Sequence, residues 1–245
     1  LETPQTCDGQ LGNPIVPATG EKIQAETDFT ADGADPLVFE RTYRSRWSIS
    51  VRHAARPALG PQWIHNHEAS LFIVPGSSPQ VAHVTLPNGD ISSFSRSAAT
   101  AAWVPANGRD SLTDTADGHQ FRRAGEDSMR LFDGDGRLLL DTRRNGWQLR
   151  YAYGPEGLLA SVTNAFGRQL LFTWNASQRL AGITQPDGGT LAFEYDAAGR
   201  LAAVTYPDAS RRRYHYENAA YPGALTGITD EAGARFATWT YDGDG

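Results

Sequence analysis

Cysteine is nearly absent: Cys7 is the only one in 245 residues. A single thiol excludes an internal disulfide framework and any cysteine-cluster zinc site, and no activating partner for it is visible. It does not settle the compartment. Long apolar runs are missing as well. The longest, such as Leu71 to Val74, fall far short of a bilayer, so membrane insertion through a helix is not expected. There is no basic surplus either: 22 basic against 28 acidic residues leave a net charge of −6. Arginines cluster at Arg122-Arg123, Arg143-Arg144 and Arg211 to Arg213. Neighbours on a strand point to opposite faces, so such runs make no single patch, and nucleic acid is not an expected partner.

Turn formers, by contrast, are dense, with 25 Gly and 14 Pro along the chain. Long helices do not survive that density, whereas short strands joined by turns do. The expectation is an all-β protein. From Ser111 onward the strands form a repeat. Aromatic residues stand at Phe132, Tyr153, Trp174, Tyr195 and Tyr216, each 21 residues after the last, and Tyr241 follows after 25. A local insertion around Asn218 to Ala224 explains the longer step. A second aromatic lies two residues earlier in five units, at Tyr151, Phe172, Phe193, Tyr214 and Trp239. Leu149, Leu170 and Leu191 lie two earlier still, so each set shares one strand face.

After each aromatic comes a turn, such as Asp133-Gly134-Asp135-Gly136 or Asp196-Ala197-Ala198-Gly199. A second strand opens at Leu138, Leu159, Leu180, Leu201 and Leu225, with Val162, Ile183, Val204 and Ile228 three further on in the last four. Spacing of three breaks alternation and predicts a bulge or bend. Each unit is thus two strands and two turns, widening an antiparallel sheet by roughly 10 Å. Its apolar face needs a covering layer.

Two units carry a recognisable signature. Tyr195-Asp196-Ala197-Ala198-Gly199-Arg200-Leu201 and Phe132-Asp133-Gly134-Asp135-Gly136-Arg137-Leu138 resemble the YD repeat of the RHS family. Tyr241-Asp242-Gly243-Asp244-Gly245 is similar to a third copy, stopping before its Arg-Leu. Tyr153-Gly154 and Trp174-Asn175 lack the Asp, and Tyr216-Glu217 replaces it. The resemblance implies a sheet that winds into a hollow β shell, as in bacterial Rhs toxins and animal teneurins.

Residues 1–110 show no such period and are expected to form a separate β domain, with the repeats occupying 111–245. Strand-like runs cover Leu37 to Tyr43, Ala69 to Val74, Val81 to Leu86 and Ile91 to Phe94, and Pro87-Asn88-Gly89-Asp90 is a hairpin turn signal. The small, polar stretch from Ala98 to Asp110 is the expected boundary. The stretches Gly12-Asn13-Pro14-Ile15, Thr19-Gly20-Glu21-Lys22 and Glu26-Thr27-Asp28-Phe29 resemble the lead-in of bacterial RHS members. So does Pro36 to Ser45, with Arg41, Tyr43 and Ser45 in the matching positions.

Candidate chemistry is sparse. His65-Asn66-His67 spells a nuclease motif, and both rings would share a strand face, but no ββα arrangement with a distant third His is readable. A pair on the surface or in a pocket is the expected arrangement. Asp133 to Gly136 opens like a calcium loop, yet position twelve is Arg144. There is no nucleophile elbow, phosphate loop or dinucleotide fingerprint.

The expectation is therefore no catalysis, no cofactor and no metal. The resemblance implies a secreted or cell-surface bacterial shell segment whose partners are the rest of the shell and an enclosed C-terminal toxin. The alternative is an adhesion or carbohydrate-binding module that uses the repeat aromatics, Trp174 among them. The chain starts at Leu1 and stops within a motif, which reads as a piece of a longer protein. An open sheet edge and an uncovered concave face would follow, and with them self-association by sheet extension or by two shells facing each other.

Overall fold

The computed structural model describes residues 15–16, 20–47, 57–126 and 128–243. Gly12, Asn13, Pro14 and Thr19 of the lead-in motif, together with Cys7, lie outside them. Among the described residues the chain is all β, and no helix is long and apolar enough to cross a membrane. The strands form three antiparallel sheets. The first runs β1 (Ile15–Val16), β2 (Glu21–Thr30), β3 (Val38–Arg44), β4 (Trp63–His65). The second runs β5 (Ser70–Ile73), β6 (Gln80–Thr85), β7 (Ile91–Arg96), β8 (Val104–Pro105). The third has 13 strands in chain order, from β9 (Ser111–Thr115) to β21 (Arg235–Thr238).

Alternation explains the long sheet. In β13 (Gln148–Tyr153), Leu149 and Tyr151 are buried while Arg150 and Ala152 face solvent. β15 (Gln169–Trp174) and β17 (Thr190–Tyr195) repeat the pattern with Leu170 and Phe172, then Leu191 and Phe193. The register shifts once per unit. Tyr153 pairs with Leu159 and Ala152 with Ser161, which leaves Ala160 as an extra residue. Leu139, Ala181 and Ala202 are extra in the same way. Each shift falls at the leucine that opens the second strand, where the three-residue spacing requires a bend.

The loop between β6 and β7 is Leu86 to Asp90. Gly89 donates to Leu86 O at 2.8 Å with φ +84, a left-handed position that closes the hairpin. The stretch from Ala98 to Asp110 is partly anchored. Trp103 is buried beneath the Arg96 guanidinium, 4.1 Å from its ring centroid, and donates to Asp114 at 3.0 Å.

The expected uncovered face is not there. The first two sheets lie on the apolar face of the long one and share a single core with it. Phe39 meets Phe172 and Phe193, and Trp63 meets Tyr214 at 5.0 Å between ring centroids. Phe94 covers Phe121 at 6.1 Å. The physical reason is that Phe39, Tyr43, Trp63 and Leu59 would be as costly to leave in water as the repeat face itself. Each surface buries the other, which removes the basis for two open shells facing one another.

Candidate functional site

The repeat unit works as a mechanical lock. Beyond the pair Leu140–Arg150, β13 no longer pairs with β12 (Leu138–Thr142). The Tyr153 hydroxyl takes over and donates to Leu138 O at 2.9 Å. The same bond recurs once per unit. Trp174 Nε1 donates to Leu159 O at 2.7 Å, and Tyr195 to Leu180 O at 2.7 Å. Tyr216 donates to Leu201 O at 2.9 Å, and Tyr241 to Leu225 O at 2.8 Å. An aromatic with a polar tip thus satisfies the carbonyl that each bend leaves outside the ladder. Burial pushes the Tyr153, Tyr195 and Tyr216 hydroxyls up, so they remain protonated donors at neutral pH.

The following turn locks in the other direction. Asp133 Oδ1 accepts from Asp135 N and Arg137 N at 2.9 and 2.8 Å, and its Oδ2 accepts from Arg137 Nε at 2.8 Å. Asp196 does the same with Ala198 and Arg200. Gly136 and Gly199 supply the positive φ of +81 and +74 that closes these turns. The arginine then lies over the next unit's aromatic: Arg137 over Tyr153 at 5.6 Å and Arg200 over Tyr216 at 4.7 Å. Where the signature departs, the geometry adapts. Asn175 takes the Asp role toward Ser177 and Arg179, and Gln178 adopts φ 56 in place of glycine. Glu217 leaves the turn altogether and pairs with Arg235 at 2.7 Å. Phe132 carries no polar tip and is fully buried, and Asp242 is exposed.

The lead-in residues form the seam with this sheet. Arg41 Nε and Nη2 donate to Asp28 at 2.5 and 2.7 Å, and both side chains are fully buried. Arg41 Nη2 also donates to Tyr214 OH at 2.7 Å, and the Tyr206 hydroxyl donates to Asp28 at 3.0 Å. The guanidinium lies over Trp63 at 4.9 Å and Tyr214 at 5.2 Å. Burial alone would lower its pKa, but Asp28 and Tyr214 raise it well above the ordinary arginine value. The Tyr43 hydroxyl donates to Gly223 O at 3.0 Å and accepts from Leu225 N at 2.9 Å. Ser45 Oγ accepts from Lys22 N at 2.9 Å, Phe29 pairs with Phe39 across β2 and β3, and Gly20 turns at φ +69.

Other seam groups carried no sequence signal beyond turn composition. Asp35 accepts from Arg143 at 2.5 Å and from Ala165 N at 3.0 Å. The Ala58 carbonyl accepts from Leu180 N at 2.9 Å and from Tyr195 OH at 3.0 Å. Leu71 N donates to Gly136 O at 2.9 Å, and a methyl on Gly136 would sit 1.8 Å from Leu71 O.

His65 and His67 are buried in this seam and line a cavity of about 350 Å³ with Glu68, Arg137, Tyr153 and Trp174. His65 ends β4 and His67 follows in the turn, yet both rings meet Phe39 and Phe172. His67 Nε2 faces Val38 O at 2.8 Å and so carries the proton. Its Nδ1 then accepts from Tyr151 OH at 3.3 Å. With both nitrogens engaged, the ring offers no lone pair to a metal.

The family model described as "Domain of unknown function (DUF6531)" matches residues 12–94. The model described as "RHS Repeat" matches residues 132–169 and 174–211. No curated protein sequence matches the chain. Among solved structures, the crystal structure of TcdB2-TccC3-Cdc42 is similar at 14% identity and a TM-score of 0.36, covering 91% of this chain and 14% of that one. A Photorhabdus luminescens Tc holotoxin pore with a mutant TccC3 is similar at 13% identity and a TM-score of 0.34, covering 90% of this chain and 15% of that one. The chain therefore spans about a seventh of the length of these two chains.

Proposed function

The chain belongs to the RHS-repeat family, and on that premise we propose that it is a wall segment of an RHS shell that encloses a C-terminal toxin. In this reading residues 111–245 are the winding wall, and residues 1–110 are a lead-in unit that seals the apolar face at its start. The segment contributes containment and no catalysis. Its lead-in motif, including Asp28, Arg41, Tyr43 and Ser45, holds the seal, and its repeat signature, including Tyr195, Asp196, Gly199 and Arg200, holds the wall. It acts outside the producing bacterium, in competition with other cells, and its partners are the rest of the shell and the enclosed chain.

One observation carries the reading. Every unit from Tyr153 to Tyr241 reaches back to the preceding one through an aromatic polar tip, so the sheet extends by addition without a change of design. A sheet built this way is a wall. The repeat aromatics support it, since their rings are partly buried and their polar tips are bonded, as Trp174 Nε1 is to Leu159 O.

The test is protease protection in the complete gene product. Its most C-terminal segment should survive a protease concentration that degrades the same segment expressed alone. Equal cleavage rates for the two would reject containment. Saturable glycan binding that is lost in Trp174→Ala, with the fold intact, would favour adhesion instead.

A further inference from the structure

The seam holds His67 in a setting that tolerates only the neutral ring. His67 is packed between β3, β4 and β13. It faces the Val38 carbonyl, the Phe39 and Phe172 rings, the His65 imidazole and the Tyr151 hydroxyl. The charged and titratable groups around it are His65, Glu68, Tyr151 and Arg143, with Asp141 and Arg130 acting on Tyr151 and Asp35 paired to Arg143. Glu68 stands 3.8 Å from His65 Nε2 and can pair with that ring when it is protonated. The two charges that act on His67, from His65 and Arg143, both oppose a proton there.

A proton on His67 Nδ1 would also break the hydrogen-bond match with Tyr151. The hydroxyl now donates to that nitrogen, and it would have to turn its hydrogen elsewhere in a buried site. Protons nonetheless have a route, because the cavity of about 350 Å³ reaches both rings and has room for several waters.

We propose that the seam is an acid-opened clasp, in which protonation of His67 releases the lead-in sheet from the repeat sheet while the repeat ladder stays intact. Burial, then His65, hold the His67 pKa down to about 3, from an ordinary value of 6.5. The sign follows from linkage. An open seam binds a proton that the closed seam refuses, so closure is complete above pH 6.5 and is lost as pH falls toward 3. Opening rises about tenfold per pH unit through that window, or about 30-fold by pH 5.0.

Four amides report on the seam because their bonds cross it: Leu71 N to Gly136 O, Leu180 N to Ala58 O, Ala165 N to Asp35 Oδ2 and Leu225 N to Tyr43 OH. Gly199 N, bonded to Asp196 O within a repeat turn, is the internal reference. The experiment is residue-resolved hydrogen exchange on the whole chain at pH 7.5 and 5.0, corrected for the intrinsic pH dependence of exchange. The four seam amides should lose about 30-fold in protection at pH 5.0 while the Gly199 amide holds. His67→Gln keeps a donor for Val38 O without titrating, and its seam protection should be the same at both pH values.

Unchanged wild-type protection at pH 5.0 overturns the proposal. So does a His67→Gln seam that opens as far as the wild type, since the acid would then act through carboxylates. If His67→Gln fails to fold, imidazole carbon shifts of the wild type decide. A His67 ring that stays neutral at pH 5.0 in the closed population supports the clasp, and one that titrates near 6.5 with the seam shut overturns it. The clasp is a property of this seam. Only its use for release rests on the shell reading, which the protease experiment tests separately.

Discussion

Removing the Asp28 carboxylate should damage this protein more than any surface change. Asp28 and Arg41 are both fully buried, and Asp28 accepts two bonds from Arg41 and one from Tyr206. Asp28→Ala leaves the guanidinium charged and stranded among Trp63 and Tyr214, with the Tyr214 hydroxyl as its remaining acceptor. Breaking a buried pair from one side costs about 3–5 kcal/mol, because the remaining charge has lost both water and partner. For a chain of this size that corresponds to a fall in Tm of roughly 6–20 °C.

The assay is thermal unfolding followed by circular dichroism at pH 7.5, with urea unfolding as the second measure. Asp28→Ala combined with Arg41→Met removes the stranded charge and places an apolar side chain between the same two rings. The double variant should therefore recover about 2 kcal/mol or more relative to Asp28→Ala. A loss below about 1 kcal/mol for Asp28→Ala, or a double variant as unstable as the sum of the two singles, would refute the reasoning.

Tyr195→Phe should cost about 1–3 kcal/mol in urea unfolding, since its hydroxyl serves both Leu180 O and Ala58 O, and Tyr153→Phe, with one carbonyl, should cost less. Equal losses would mean that the bond to Ala58 contributes nothing. Gly136→Ala should lose at least about 2 kcal/mol because its methyl meets Leu71 O, whereas Gly167→Ala, at φ +77 with open space around it, should lose about 1. The β21 strand is a terminal edge of the long sheet, and Phe236 on it is 55% exposed. Sheet extension through that edge should give concentration-dependent association in light scattering that Phe236→Lys abolishes. A wild-type chain that is monomeric at every concentration would reject this.

Much of the long sheet could be read directly from the chain. The 21-residue register of Tyr153, Trp174 and Tyr195 placed the strands, and the Leu159-to-Val162 spacing marked the bend, because both depend on neighbours a few residues apart. The role of the aromatic tips was not legible. Tyr153 and Leu138 are joined across a gap that the local pattern does not encode, so the hydroxyl looked no different from the ring that carries it. In the sequence, Asp28 and Arg41 are motif positions and nothing more. Their shared burial with Tyr214 depends on a contact 173 residues away. Asp35 and the Ala58 carbonyl were invisible, one a turn residue and the other a backbone group with no side-chain signal.

Local periodicity was enough to specify strands, turns, bends and the two faces of the repeat sheet, since each follows from side-chain alternation and turn chemistry within one unit. It could not say what lies on the apolar face. That was decided when Phe39, Trp63, His65 and His67 folded back onto Tyr151, Phe172 and Tyr214, because an apolar surface is indifferent to which other apolar surface covers it. The polar contacts then select the pairing: a buried arginine must find its aspartate, and a buried imidazole its carbonyl and phenol, in one arrangement of the two sheets.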